Sequence, residues 1–221
     1  MSSAARKEMP IDLSLWTAFV GTVILMQVPP GPDSMLVMAR GIGHGRGVAL
    51  FTVLGMTLGA GLVQLPLIAF GLSSLVHASP VAFNLLRWAG AAYIMWLGFR
   101  LLLSASATIP TGDIKALRPL AAAREGMIAN LSNPWPLMFM VAFLPQFVDP
   151  HRGSVTLQLV LLGATQKITG VLVLGACALA SGAVGAWVMR HPRARLWQQR
   201  LAGCLIIGLG VRMVIGGSTS R

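Results

Sequence analysis

Charge is what this 221-residue chain has least of: only 10% of its residues are Asp, Glu, Lys or Arg. An ordinary soluble domain carries roughly a quarter. So few charges cannot cover a globular surface, which excludes a soluble enzyme. Acidic residues are scarcest, six in all and scattered. No carboxylate cluster is available for the metal and phosphate chemistry of a lipid transferase. The two cysteines, Cys177 and Cys204, lie in apolar segments and form no CxxC or Cys/His cluster. That excludes a disulfide-stapled secreted module and leaves no metal or redox site of matched spacing. His44, His77, His151 and His191 are dispersed, with no pair at ligand spacing.

What the chain does have is apolar surface: 55% hydrophobic residues and a mean hydropathy of +0.74. An integral membrane protein is the class that remains. The formal charge is +11, from 17 Lys and Arg against six acids. In a soluble chain that excess would point to nucleic acid. Here the basic residues sit between long uncharged runs, as loop charges facing anionic headgroups do. The lipid bilayer is therefore the expected partner, and nucleic acid is not.

A spanning helix needs about 20 mainly apolar residues. Uncharged runs occupy Leu13–Pro32, Gly47–Leu86 (divided near Pro80), Gly126–Val148 and, interrupted only by Lys167, Gly153–Met189. Arg87 stands at the mouth of a further span ending near Leu103, and a last candidate covers about Leu196–Ile215. Six spans are expected in one transmembrane domain, residues 1–221. It divides into a first half at about 11–103, a polar linker at 104–119 and a second half at about 120–215. The first run follows Arg6 and Lys7 like a signal peptide, but no small-x-small cleavage site follows it, so it reads as a retained helix. Loops after the first, third and fifth spans hold Arg40, Arg46, Arg100, Lys115, Arg118, Arg124, Arg190, Arg193, Arg195 and Arg200. Six basic residues lie on the other side. The positive-inside rule places the ten-residue side in the cytoplasm and both termini outside.

Each half opens with a helix carrying Pro-x-Pro: Pro30-Gly31-Pro32, then Pro134-Trp135-Pro136. Proline lacks the N–H and clashes with the preceding turn, so both helices should break. The freed backbone groups cannot face lipid and must face protein or a wet cavity. Three helices per half make the second half an inverted copy of the first. The expected fold is all-α, two inverted three-helix repeats with broken helices one and four, as in many secondary transporters.

Polar residues in the apolar runs point to the site. Gln64 lies 32 residues past Pro32, and Lys167 lies 31 past Pro136. A cation at the bilayer centre costs a few kcal/mol and is normally functional or paired. Lys167, with Gln166 before it, could hold a substrate carboxylate, or could pair with a carbonyl for packing alone. Asp33 is the only acid close to a break. It could cap the following half-helix, bind an ammonium or carry a proton. Gly55, Gly59 and Gly61 put small residues on one helix face, suited to packing within the subunit and leaving a homodimer open. Gly41, Gly43, Gly45 and Gly47 read as a tight connection; without the strand context and a Lys-Ser/Thr ending they are no phosphate loop.

These motifs resemble those of the lysine exporter and homoserine–threonine exporter (LysE/RhtB-type) translocators. Pro30-Gly31-Pro32-Asp33, continuing to Gly45-Arg46-Gly47, Gly55 and Gly59, is similar to the family's first motif. Leu86-Arg87-Trp88-Ala89-Gly90-Ala91-Ala92-Tyr93, with Leu97-Gly98-Phe99-Arg100, resembles a third-helix signature. Asn130, Asn133-Pro134 and Phe143-Leu144-Pro145-Gln146-Phe147-Val148 resemble the fourth-helix signature. The likeness runs from about Leu13 to Val148 and more weakly beyond. It implies efflux of amino acids or related small molecules across the bacterial inner membrane, driven by protons, with no cofactor and no enzymatic step. The transport residues would be Pro30, Gly31, Pro32, Asp33, Gln64, Asn130, Asn133, Pro134, Gln146 and Lys167. Asn130, Asn133 and Gln64 would hold the ammonium or side chain, and Lys167 with the half-helix N-termini the carboxylate. Two departures, Trp135 where members commonly carry Lys and the central Lys167, bear on the substrate more than on transport. A metal or cation exporter of the same superfamily and a membrane thiol–disulfide carrier are the alternatives. The first lacks intramembrane Cys, His or paired carboxylates, and the second lacks cysteines at the breaks.

Overall fold

The computed structural model describes residues 10–28, 31–103 and 117–181, with scattered positions between 196 and 211. The described residues are helical, without strands. The elements are α1 (Leu13–Gln27), α2 (Pro32–His44), α3 (Arg46–Leu54), a π-turn (Gly55–Gly59), α4 (Ala60–Ala78), α5 (Pro80–Leu103), α6 (Pro119–Ser132), α7 (Pro134–Phe143), two short 3-10 turns (Leu144–Phe147 and Pro150–Arg152) and α8 (Val155–Ala180). The expected linker, up to residue 116, and most of the expected sixth span lie outside the described residues.

The two proline clusters interrupt helices at the expected places. α1 and α2 meet at 57°, and α6 and the segment Pro136–Phe147 meet at 56°. The breaks lie mid-course rather than at the end of the first span and the start of the fourth. Asp33 and Arg40 end the uncharged run of the first span, yet α2 continues to His44. Arg124 and Glu125 precede the run of the fourth, yet α6 begins at Pro119. Charge-free runs under-measure a helix whose end carries a compensated ion, and Arg40 bonds to Glu125 at 2.5 Å. Among the described residues, two continuous helices, Arg46–Leu75 and Val155–Ala180, are long and apolar enough to cross a membrane. Each bent pair counted as one span brings the number to four. α5 falls outside that count, although its 24 residues reach about 36 Å.

Gly45, at φ +89°, is the single non-helical residue between α2 and α3. The expected four-glycine connection thus shrinks to one position, with Gly41 and Gly43 inside α2 and Gly47 inside α3. The glycine face is filled from within the chain. A Cβ at Gly55 would lie 1.8 Å from the Ala123 carbonyl oxygen of α6, and one at Gly126 would lie 2.5 Å from the Thr52 carbonyl of α3. Gly59 faces Met127 and Gly61 faces the Lys167 stem. This face therefore lends no support to a homodimer.

Two apolar clusters bracket the centre. One joins α1, α4, α7 and α8 through Phe19, Ile68, Leu72, Met140, Phe143, Leu159 and Leu162. Its rings touch in series: Phe139 stacks on Phe143 at 4.7 Å, Phe143 lies tilted against Phe147 at 4.8 Å, and Phe19 meets Phe147 edge to face at 5.1 Å. The other joins α2, α3, the π-turn and α8 through Val37, Val53, Met56, Leu174 and Ala178. Along α8, Lys167 falls between the two. Outward faces stay apolar: Leu62 is 80% and Phe70 66% exposed. Exposed apolar surface of that kind suits lipid rather than water.

One end is pinned by polar contacts. Asp12 caps α1 by accepting from the Ser14 N–H at 2.9 Å and from the Ser14 hydroxyl. These bonds, with the nearby Arg152 guanidinium, hold the Asp12 carboxyl below its ordinary range. Arg152 reaches Asp12 at 3.1 Å. Buried Gln158 clamps the preceding turn, donating to the Asp149 carbonyl at 2.8 Å and accepting from the Asp149 N–H at 2.9 Å.

Candidate functional site

The broken helices bring four polar side chains into one chain of hydrogen bonds. Lys167 Nζ of α8 donates to Gln64 Oε1 of α4. Gln64 Nε2 donates to Asn130 Oδ1 of α6 at 3.2 Å. Asn130 Nδ2 donates to Asp33 Oδ2 of α2 at 2.9 Å. Asn133, the residue at the second break, adds its side chain to the Asp33 carboxylate. Gln64, Asn130 and Lys167 are 2%, 4% and 8% exposed, so this is an interior feature.

The direction of the bonds follows from electrostatics. A lysine ammonium has donors only, and a carboxylate has acceptors only. With the cation at one end and the anion at the other, both amides must present oxygen toward Lys167 and nitrogen toward Asp33. Their orientation is thus fixed by the two charges. Buried away from water, such a chain is stronger than its parts, and any member left without a partner is costly.

Local sequence places each member. Gly31 precedes α2 in an extended conformation and Pro32 occupies its first turn, where a missing N–H does no harm. Asp33 does not take the expected capping role. Ser34 does, its Oγ accepting from the Gly31 N–H at 2.8 Å. That leaves the Asp33 carboxylate, in the positive first turn of α2, to reach across to Asn130. Gln64 sits one turn into α4, and Gly61 makes room beside it, since a Cβ there would meet the Lys167 side chain at 3.4 Å. Lys167 stands about 18 Å along an α8 that is about 39 Å long, close to its middle.

The remaining expected residues fall differently. Pro134 is the first residue of α7, directly at the break. Pro30 lies outside the described residues. Gln146 sits on the 3-10 turn beyond α7, its amide donating to the Ala142 carbonyl at 3.4 Å. The length of α7, about 15 Å, separates that turn from the break. Two residues not singled out from sequence stand beside the chain: Gln27, at the end of α1, and Thr57, in the π-turn. A glutamine two residues before Pro29 is the available signal for Gln27; a π-turn has no comparable sequence mark. Among the described residues, no group of three or more His, Cys, Asp or Glu could hold a metal ion. Cys177 and Cys204 are free thiols.

Apolar helices, two of them broken in mid-course around buried charges, define a membrane protein of the transporter kind. The model for the LysE type translocator matches residues 24–217, and the chain belongs to that family. It is accordingly a membrane transporter and not an enzyme. The chain is 30% identical over 199 residues to the homoserine/homoserine lactone efflux protein of Salmonella typhi, covering 88% of this chain and 93% of that one. It is 25% identical over 202 residues to the leucine efflux protein of Enterobacter sp. (strain 638), covering 91% and 95%. An uncharacterized membrane protein of Vibrio cholerae is 30% identical over 201 residues, covering 91% and 97%. No solved structure matches the chain.

Proposed function

We propose that this transporter exports an amino acid or a closely related small molecule from the bacterial cytoplasm, across the inner membrane, in exchange for protons. The efflux proteins to which it is similar act, by their names, on homoserine, its lactone and leucine. The observation that carries the reading is the chain Lys167–Gln64–Asn130–Asp33. A zwitterionic amino acid has the same two ends. Its carboxylate competes for the Lys167 ammonium, and its ammonium competes for the Asp33 carboxylate. The two amides, each both donor and acceptor, release one another and turn toward the substrate. In a dry interior these exchanges are worth far more than in water.

The same exchange couples transport to protons. With substrate bound, Asp33 is neutralised by the ammonium; after release, a proton can replace it. The matched bends of 57° and 56° support an inverted repeat, in which one half rocks against the other around the central chain. The ten-to-six distribution of basic residues supports a cytoplasmic location for the Arg40–Glu125 end.

Proteoliposomes loaded with a panel of labelled amino acids, with and without an imposed proton gradient, test this directly. Gradient-dependent efflux of at least one amino acid is the expected result. Efflux indifferent to the gradient removes proton coupling alone. No efflux of any amino acid from folded, inserted protein overturns the reading.

A further inference from the structure

Beside the central chain lie two buried acceptors that it does not use. Gln27 Nε2 donates to the backbone carbonyl of Gln166 at 3.2 Å. This contact fixes the orientation of the Gln27 amide, because a flipped amide would set oxygen against oxygen. The Oε1 of Gln27 and the Oε1 of Gln166 are both buried, and neither accepts a hydrogen bond from any of the described residues. Gln166 as a whole is 9% exposed. A native interior rarely leaves one amide carbonyl unsatisfied, and here two occur on touching residues.

Glycine lets the helices approach closely here. Gly170 lies one turn beyond Gln166. A Cβ there would stand 3.2 Å from Thr57 Cγ2 and 3.8 Å from Gln27 Nε2. The Thr57 hydroxyl is committed to the Val53 carbonyl at 2.6 Å, and the Thr169 hydroxyl to carbonyls of its own helix. Among the described residues, none donates to either of the two oxygens.

We propose that Gln27 and Gln166 form a substrate side-chain subsite next to Lys167, one that takes a neutral hydrogen-bond donor such as a hydroxyl. The proposal rests on the reading of the protein as an amino acid exporter and names the class of side chain it selects. Position favours it: Gln166 adjoins Lys167, so a carboxylate held by that ammonium places its own side chain near the paired carbonyls. Charge narrows it. A cationic side chain would add a second positive charge beside Lys167, while Asp33, the acid of the central chain, is taken by the substrate's own ammonium in the proposed binding mode. A purely apolar side chain would leave both oxygens unsatisfied. A site built to bond a hydroxyl rejects the isostere that lacks it far more strongly than an apolar pocket rejects an extra one.

Threonine and valine differ by that substitution and share a shape. Export of labelled threonine and valine, measured in parallel from proteoliposomes, should favour threonine by at least about tenfold. In Gln166→Leu, and separately in Gln27→Met, the threonine-to-valine ratio should fall to about one to two. A wild-type ratio near one overturns the subsite, as does a ratio unchanged in both variants. Preference for lysine over threonine overturns the choice of a neutral donor. If either variant fails to insert, the wild-type ratio and the other variant still decide. Absence of export for every amino acid instead strikes the underlying function, so the two failures are told apart.

Discussion

The two broken pairs are nearly the same bend made from different chemistry. α1 and α2 meet at 57°, α6 and the segment after it at 56°. The first break carries an acid, Asp33, and the helix that follows carries a neutral amide, Gln64. The second carries amides, Asn130 and Asn133, and the helix that follows carries a cation, Lys167. Bend and spacing are held in common, while the charges are distributed diagonally. Identical chemistry at both breaks would offer two like ends. This chain has an anion at one end and a cation at the other, the pairing that the proposed zwitterionic substrate requires.

The largest expected effect comes from removing the difference at the breaks. Asp33→Asn leaves amides at both and should reduce gradient-driven export at least about a hundredfold, by the loss of a buried ionic partner. Normal insertion with full export in that variant would take the charge out of the mechanism. Next is the following helix. Lys167→Gln makes the two halves alike and should raise the apparent KM for amino acids by about tenfold or more, while an amine lacking the carboxylate is unaffected. Adding Gln64→Lys moves the cation to the other half; partial recovery of binding would show that a charge is needed at either position. Equal KM values throughout would reduce Lys167 to packing.

A smaller effect is expected where the halves touch. Gly55→Ala drives a methyl into the Ala123 carbonyl and should cost ~1–3 kcal/mol, read as a lowered melting temperature in detergent. Gly21→Ala, with nothing within 4 Å, is the control. The smallest effect belongs to Arg40→Ala. Its bond to Glu125 joins the same two helices as Asp33 and Asn130, but the partners are 24% and 49% exposed. Water screens such a pair, so stability should change by only about 0.2–1 kcal/mol. A loss as large as that of Gly55→Ala would mean that water does not screen the pair and that it helps hold the two helices together.

Much of this arrangement was legible in the sequence because the membrane makes polar residues conspicuous. Asp33, Gln64, Asn130 and Lys167 each stand out against apolar neighbours, and each pair of prolines announces a break. Their union was not legible, since hydrogen bonds between four separate helices depend on how those helices are rotated. Gln146 shows the same limit from the other side: it shares a motif with the break residues but lies a helix length away. Helices run past the uncharged stretches where Arg40 and Glu125 neutralise each other, because a count of charges cannot see a pair formed across 85 residues. For Gln27 the sequence offers only its place before the proline cluster; its pairing with Gln166 exists only in three dimensions.

The π-turn at Gly55–Gly59 has a consequence for how the chain can tolerate change. A π-turn bonds each N–H one residue farther back than an α-turn does, so it absorbs about one additional residue. Each residue of an α-helix advances the azimuth by about 100°. Everything after Gly59 is therefore set in a phase that an uninterrupted helix would not have. Gln64 reaches Lys167 and Asn130 in that phase. The frame of the whole span is set by five residues, Gly-Met-Thr-Leu-Gly, that touch neither charge. Loss of a single residue there would leave an ordinary α-helix with Gln64 still facing both partners, whereas drawing all five residues into the α-helix would turn Gln64 about a quarter-revolution away.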